Sequence, residues 1–241
     1  MSGWLLADGH GGPVIPNFGQ GSACERSGGW FCTDWVRANW SSTLQPALVQ
    51  HVELTVIAVA VGFAIASLLA VVGYRWRPFD VPLGVFTDFL YTIPSLALFI
   101  LLVPFTGLTV TTVEIALISY TLFILYRNMV AGLRGVPDEA LEVARGMGLT
   151  RVQTFFRVEL PLASPAMFAG LRIATVSTVS IATVAAFVIP KGLGEPILTG
   201  LQQSFGTEIL AGSLLAILLA LTADGLLALF QRGVTPWTRV R

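Results

Sequence analysis

The sequence predicts an all-α protein, an integral membrane helical bundle of five transmembrane helices with its N-terminus outside and its C-terminus inside. Three observations predict it. The chain is 54% hydrophobic and only 12% charged, about half the charged fraction usual for a soluble domain. Its apolar residues gather into runs long enough to cross a hydrocarbon core of about 30 Å, which takes about 20 helical residues. Its formal net charge is zero, yet the basic residues are spread unevenly between those runs.

Residues 1–50 read as an extracytoplasmic tail. "GHGGPVIPNFGQGS" is loop by its glycine and proline content. It has neither the Lys-Ser/Thr pair nor the preceding strand of a phosphate loop. No basic region followed by an apolar core opens the chain, so the expectation is an uncleaved first span that serves as anchor. In "WFCTDWVRANWSSTL" Val36, Trp40 and Leu44 recur one helical turn apart, with Trp30 and Trp35 nearby. That is the pattern of an amphipathic helix in the outer interface, or of a short helix packed on the spans. Cys24 and Cys32 share this tail, where oxidising surroundings permit a disulfide; spacing alone leaves two free thiols equally open.

Residues 51–230 carry the five spans, at 52–73, 81–106, 109–126, 166–189 and 209–230. A short turn at Gly107 makes the second and third a hairpin. Pro94 frees a backbone carbonyl in the second and should kink it. If the first span runs inward, only Arg26, Arg37 and Lys191 of the 14 basic residues remain outside, which satisfies the positive-inside rule. Residues 190–208 then form an outer loop broken by Pro190, Gly192, Gly194 and Pro196, and "EPILTGLQQSF" is its one short helix. Residues 231–241 form a cytoplasmic tail.

Ionisable residues inside spans cost about 2.5–3.5 kcal/mol at a helix centre and therefore need a reason. Asp88, Arg172 and Asp224 all lie about 10 Å from the inner surface by their helical rise, so Arg172 is expected to pair with at least one of the aspartates. Such a pair can lock helices or take part in moving a solute. Glu114, five residues into the third span, is expected to reach water at the outer end. The hydroxyls of the fourth span, Thr175, Ser177, Thr178, Ser180 and Thr183, are scattered around the helix and suit close helix packing or a pore lining.

Residues 128–165 are the exception to all this greasiness. Pro137, Asp138 and Glu139 make a helix start, with acids at the positive end of the dipole. Leu141, Ala144 and Met147 share a face, and Gly146 and Gly148 stop the helix, Gly148 being suited to a left-handed terminating conformation. Thr150 and Gln153 fit a capping box for a second helix. Val152, Phe155, Phe156 and Leu160 give that helix an apolar stripe, and Pro161 and Pro165 are expected to end it. The segment is too polar to span and too well capped for a floppy loop.

Its spacing, Glu142-x-Ala144-x3-Gly148-x9-Val158-x-Leu160-Pro161, resembles the EAA loop of ABC importer permeases, with Val143 in place of the first alanine and Val158 in place of isoleucine. Across residues 50–230 the chain further resembles permeases for glycine betaine, choline, carnitine and related osmoprotectants, through "HVELT", "TIPSLALFILLVPFTGL" and "YRNMVAGLRGVPDEALEVARGMGLTR". After the fourth span that family often reads G-x-G-G-L-G, whereas Ile189-Pro190-Lys191-Gly192-Leu193-Gly194 stands here. The resemblance implies the ABC importer permease fold in a plasma or inner membrane. It implies that the helix–turn–helix inserts into a cleft on an ATP-binding subunit, and that Lys191, Gly192 and Gly194 lie where an extracytoplasmic substrate-binding protein docks. It implies a second permease subunit, identical or similar, above two ATPases.

The chain has no GxxxxGK[ST] sequence, so ATP and its magnesium belong to the partner. His10 and His51 are its only histidines, and neither stands near other metal ligands or a nucleophile motif. The expected role is thus a transport subunit and not an enzyme, with no metal and no nucleic acid, importing quaternary-ammonium osmoprotectants. The runners-up are an importer of another small solute such as an amino acid, and an ion-driven secondary transporter, for which Asp88 and Asp224 speak and the missing inverted repeat does not.

Overall fold

The computed structural model describes residues 31–239; the loop expected over residues 1–30 and the pairing of Cys24 with Cys32 lie outside the described residues. A short helix, α1 (Thr33–Ala38), leads through a π-helical turn at Trp40–Leu44 into α2 (Gln45–Arg75). Then come α3 (Arg77–Thr92), α4 (Ser95–Thr106), α5 (Val110–Arg134) and α6 (Asp138–Gly146). Helix α7 (Arg151–Thr154) runs through a π-helical turn at Phe155–Glu159 into α8 (Leu160–Val184). After the loop at residues 188–193 follow α9 (Gly194–Gln203) and α10 (Gly206–Val234).

Four stretches are continuous, long and apolar enough to cross a membrane: Trp40–Arg75, Val110–Arg134, Arg151–Phe187 and Gly206–Val234. The pair α3 and α4 passes the same test but is bent by 98°. This corrects the expected kink at Pro94. Ile93 and Pro94 are both extended (ψ 127° and 137°), so the helix stops and restarts. The carbonyl of Ile93, left without a helical donor, accepts the hydroxyl of Tyr120 on α5, and Phe89 accepts Thr92 Oγ1 at 2.7 Å. A break in apolar surroundings survives only when freed carbonyls find such donors.

A second correction concerns Pro161 and Pro165, which do not end the helix. Pro161 falls just after the π-helical turn, whose wider spacing moves the preceding carbonyls clear of its ring. The carbonyl of Pro161, which Pro165 cannot serve, accepts Ser164 Oγ at 2.8 Å. The result is one helix from Arg151 to Phe187, joining the polar segment rigidly to the bundle.

Helix α5 is the centre. It packs on α2 and α8, with α3 against its flank, and its apolar stretch is the most buried of the candidate spans. Close approach is set by small residues, because lipid supplies no hydrophobic drive between helices. A β-carbon on Gly170 would sit 2.4 Å from Asn128 Cβ, and one on Gly132 would sit 2.9 Å from the Ala163 carbonyl. Two apolar clusters fill the bundle, one around Ala58, Phe99, Leu117 and Ala182, the other around Ala70, Leu125, Met129 and Ala174. The tail helix α1 is short, and Trp35 meets Phe205 edge-on at 5.3 Å, so it packs on the start of α10.

Candidate functional site

The polar segment folds as an elbow. Its first arm, α6, ends on Gly148, which has φ +76°. Leu149 N–H donates to the Ala144 carbonyl at 3.1 Å and Gly148 N–H to the Arg145 carbonyl at 2.9 Å, the paired bonds that close a helix on a left-handed residue. One residue later the second arm begins with the capping box: Gln153 N–H donates to Thr150 Oγ1 at 3.3 Å, and Thr150 N–H to Gln153 Oε1 at 2.9 Å. The N–H groups of Gly148, Leu149, Thr150 and Gln153 are thus all engaged within the corner, which fixes its angle locally.

Ala144 is fully buried, and Leu141 and Phe155 pack on a cluster of Leu133, Val136 and Ala163, which seats the elbow on the ends of α5 and α8. Val158, Leu160 and Pro161 are half-buried along the second arm. Glu142 and Gly148 are exposed. Met147, expected to share a face with Leu141 and Ala144, instead caps α6 and is 66% exposed, beside Val143 at 61%. Gly146 and Gly148 have open space where a β-carbon would go. An apolar, small-residue knob thus projects from the end of the bundle that carries Arg75 and Arg134, because the cap takes Met147 off the face that Ala144 buries.

Arg172 on α8 meets Asp224 on α10 through two bonds, Nε to Oδ1 at 2.7 Å and the terminal nitrogen to Oδ2 at 2.8 Å. Asp88 does not join them. Helix α3 lies against α5, so Asp88 pairs with Arg127, Nε to Oδ1 at 3.0 Å. Arg172 thus pairs with one of the two aspartates, as expected, and Asp88 belongs to a second, separate pair; each pair ties neighbouring helices. Removing one partner leaves a charge uncompensated in a span. Arg172→Ala and Asp224→Ala should each lower the amount of inserted protein, and the exchange Arg172→Asp with Asp224→Arg should restore most of it, as read on immunoblots of membrane fractions.

At the opposite end, the loop carrying Lys191, Gly192 and Gly194 is held by a residue that sequence reasoning set aside. His51 is fully buried. Its Nδ1 accepts the Leu193 N–H at 3.1 Å and its Nε2 donates to the Val179 carbonyl at 3.0 Å, which defines the neutral ring with the proton on Nε2. Gln50 Oε1 accepts the Gly192 N–H at 3.2 Å. Gly192 has φ +72°, and a β-carbon there would lie 2.9 Å from His51 Nδ1. Lys191 is half-exposed on the rim, and burial holds the nearby Glu195 carboxyl above the ordinary carboxylate range. His51→Ala would orphan a buried donor, a loss of about 1–3 kcal/mol. The purified protein should melt at lower temperature than the unsubstituted chain; an unchanged melting temperature would show that the loop is held without it.

Glu114, expected in water, is instead 9% exposed on α5, and neither carboxylate oxygen has a hydrogen-bond partner among the described residues. Packing of α2 on this stretch of α5 covers it. Five residues in from a helix end is no guarantee of solvent when another helix starts higher.

Residues 58–240 match the family described as binding-protein-dependent transport system inner membrane component. The choline transport system permease protein OpuBB of Bacillus subtilis (strain 168) is 33% identical over 187 residues, covering 78% of this chain and 86% of that protein. The osmoprotectant import permease protein OsmW of Salmonella typhimurium is 34% identical over 192 residues, covering 78% and 89%. In fold, the chain resembles a chain of the inward-facing MetNI methionine ABC transporter, with a TM-score of 0.70, 19% identity, and coverage of 80% of this chain and 96% of that one. Helix–glycine corner–helix, central α5 and this breadth of match agree: the chain belongs to the family of inner membrane components of binding-protein-dependent transport systems.

Proposed function

We propose that the chain is the membrane-spanning subunit of an ATP-driven, binding-protein-dependent importer of quaternary-ammonium osmoprotectants such as glycine betaine, choline or carnitine. The N-terminus lies outside, the C-terminus inside, and the broken pair α3–α4 counts as the fifth span. Two such subunits, identical or similar, stand above two ATP-binding subunits, which hold ATP and magnesium, and an extracytoplasmic binding protein delivers the solute to the outer loop. The observation that carries this reading is the elbow: a locally closed corner with Val143, Met147 and Gly148 exposed at its tip and a continuous helix, Arg151–Phe187, behind it. A push on the tip is transmitted to the length of α8 because no loop intervenes to absorb it.

The choline and osmoprotectant permeases among the relatives support the substrate class. The ion-driven alternative loses its footing, since both aspartates that favoured it are occupied by arginines. The test is to purify the assembled complex and measure which labelled solute, glycine betaine, choline or an amino acid, raises its ATP hydrolysis and enters vesicles. Stimulation by an amino acid alone would replace the substrate class, and uptake without any ATPase subunit would replace the whole reading.

A further inference from the structure

The sequence reading sent arginines to one end of the bundle; the structure gathers four of them around one hollow. Arg75 and Arg77 at the α2–α3 corner and Arg145 and Arg151 on the two arms of the elbow line a cavity of about 890 Å³. The carboxylate of Glu159 is the only acidic group lining it, and its Oε2 is buried and unpartnered. Among the described residues, none of the four arginines has a carboxylate within salt-bridge distance; the ion pairs there engage Arg127, Arg134 and Arg172. Four guanidinium groups around one carboxylate leave an excess of positive charge, and an anion in the hollow offsets it.

A second cavity adjoins the first and shares Tyr74 and Arg75 with it. This one is apolar, about 260 Å³, and walled by Val71, Val152, Phe155 and Phe156. Phe156 and Val152 are well exposed, at 61% and 58%, and Leu68, three residues before Val71 on α2, is 70% exposed. Trp76 stands exposed at the same corner, a side chain that favours the level of lipid headgroups. A charged hollow opening into a greasy groove beside an exposed tryptophan has the shape of a phospholipid, not of a free ion, and basic pockets between helices on the inner side favour anionic headgroups.

We propose that this double cavity binds one anionic phospholipid, its phosphate among Arg75, Arg77, Arg145 and Arg151 and an acyl chain along Val71 and Phe155. So placed, the lipid bridges the end of α2 to both arms of the elbow and stiffens the seat of the lever. The site does not depend on which solute is carried.

The experiment uses the assembled transporter purified in detergent, stripped of lipid, offered equal amounts of phosphatidylglycerol and phosphatidylcholine, and weighed by native mass spectrometry. The unsubstituted protein is expected to retain phosphatidylglycerol in excess. Arg75→Gln with Arg151→Gln should weaken that retention about twenty-five-fold, about fivefold for each arginine, while Arg75→Lys with Arg151→Lys keeps it. Equal retention of the two lipids by the unsubstituted protein overturns the proposal whatever the variants do. So does undiminished retention in the glutamine variant, and displacement of the lipid by inorganic phosphate would make the hollow a free-phosphate site instead.

Discussion

Gly148→Asp should leave the protein in the membrane at its normal level and abolish ATP-driven uptake. The backbone at Gly148 has φ +76°, a region that costs most L-residues about 1–2 kcal/mol and aspartate less. No neighbour lies within 4 Å of a β-carbon built there, so the bundle is not strained by contact, and the penalty falls on the corner alone. Aspartate also sets a negative charge at the carbonyl end of α6, against the helix dipole, and puts bulk on the exposed tip. Gly146→Ala is the control, since it too meets open space but is helical, so it should transport normally. Membrane immunoblots and uptake of labelled glycine betaine in the reconstituted complex check both. Normal uptake by Gly148→Asp would remove the lever.

Gly194→Val should produce the largest loss of stability among the loop substitutions. A β-carbon at Gly194 would lie 2.0 Å from the backbone oxygen of Thr183 and 2.8 Å from its carbon. These are main-chain atoms of α8, so no rotamer change relieves them; α9 must lift off α8. Overpacking costs about 1–3 kcal/mol where side chains can give, and here they cannot. We expect a clear fall in melting temperature and loss of the loop's hold on His51. Gly192→Ala should be milder, because its β-carbon would meet a side-chain atom, His51 Nδ1, at 2.9 Å and not main chain at 2.0 Å, even with the strain of a φ of +72°. Equal melting of Gly194→Val and the unsubstituted protein would mean that α8 and α9 separate without cost.

The elbow was legible in the sequence because everything that shapes it is local. A glycine at the stop, a Thr-x-x-Gln start and acids in the first turn act over four residues and need no partner. The spans were legible as apolar runs, but their ends were not. Helix α2 begins at Gln45 and α5 runs to Arg134, well past the apolar runs at 52–73 and 109–126, because a helix continues into water wherever its backbone stays bonded. Proline was misread twice in opposite senses. At Pro94 the chain breaks where a kink was expected, since Tyr120 can serve the freed carbonyl; at Pro161 and Pro165 it continues, since a widened turn and Ser164 make room. Such tolerances depend on residues distant in sequence or on a turn type that single residues do not announce. His51 was missed for the same reason: its partners, Val179 and Leu193, lie more than a hundred residues away.

The account stands on the tip of the elbow being gripped by the ATP-binding subunit. Met147→Cys places a thiol on that tip, which is 66% exposed in the single chain. A membrane-impermeant maleimide should label it rapidly in the permease alone and only slowly once the ATPase subunits are bound, with the unsubstituted chain as background. Labelling at the same rate in the free permease and in the working complex would contradict it.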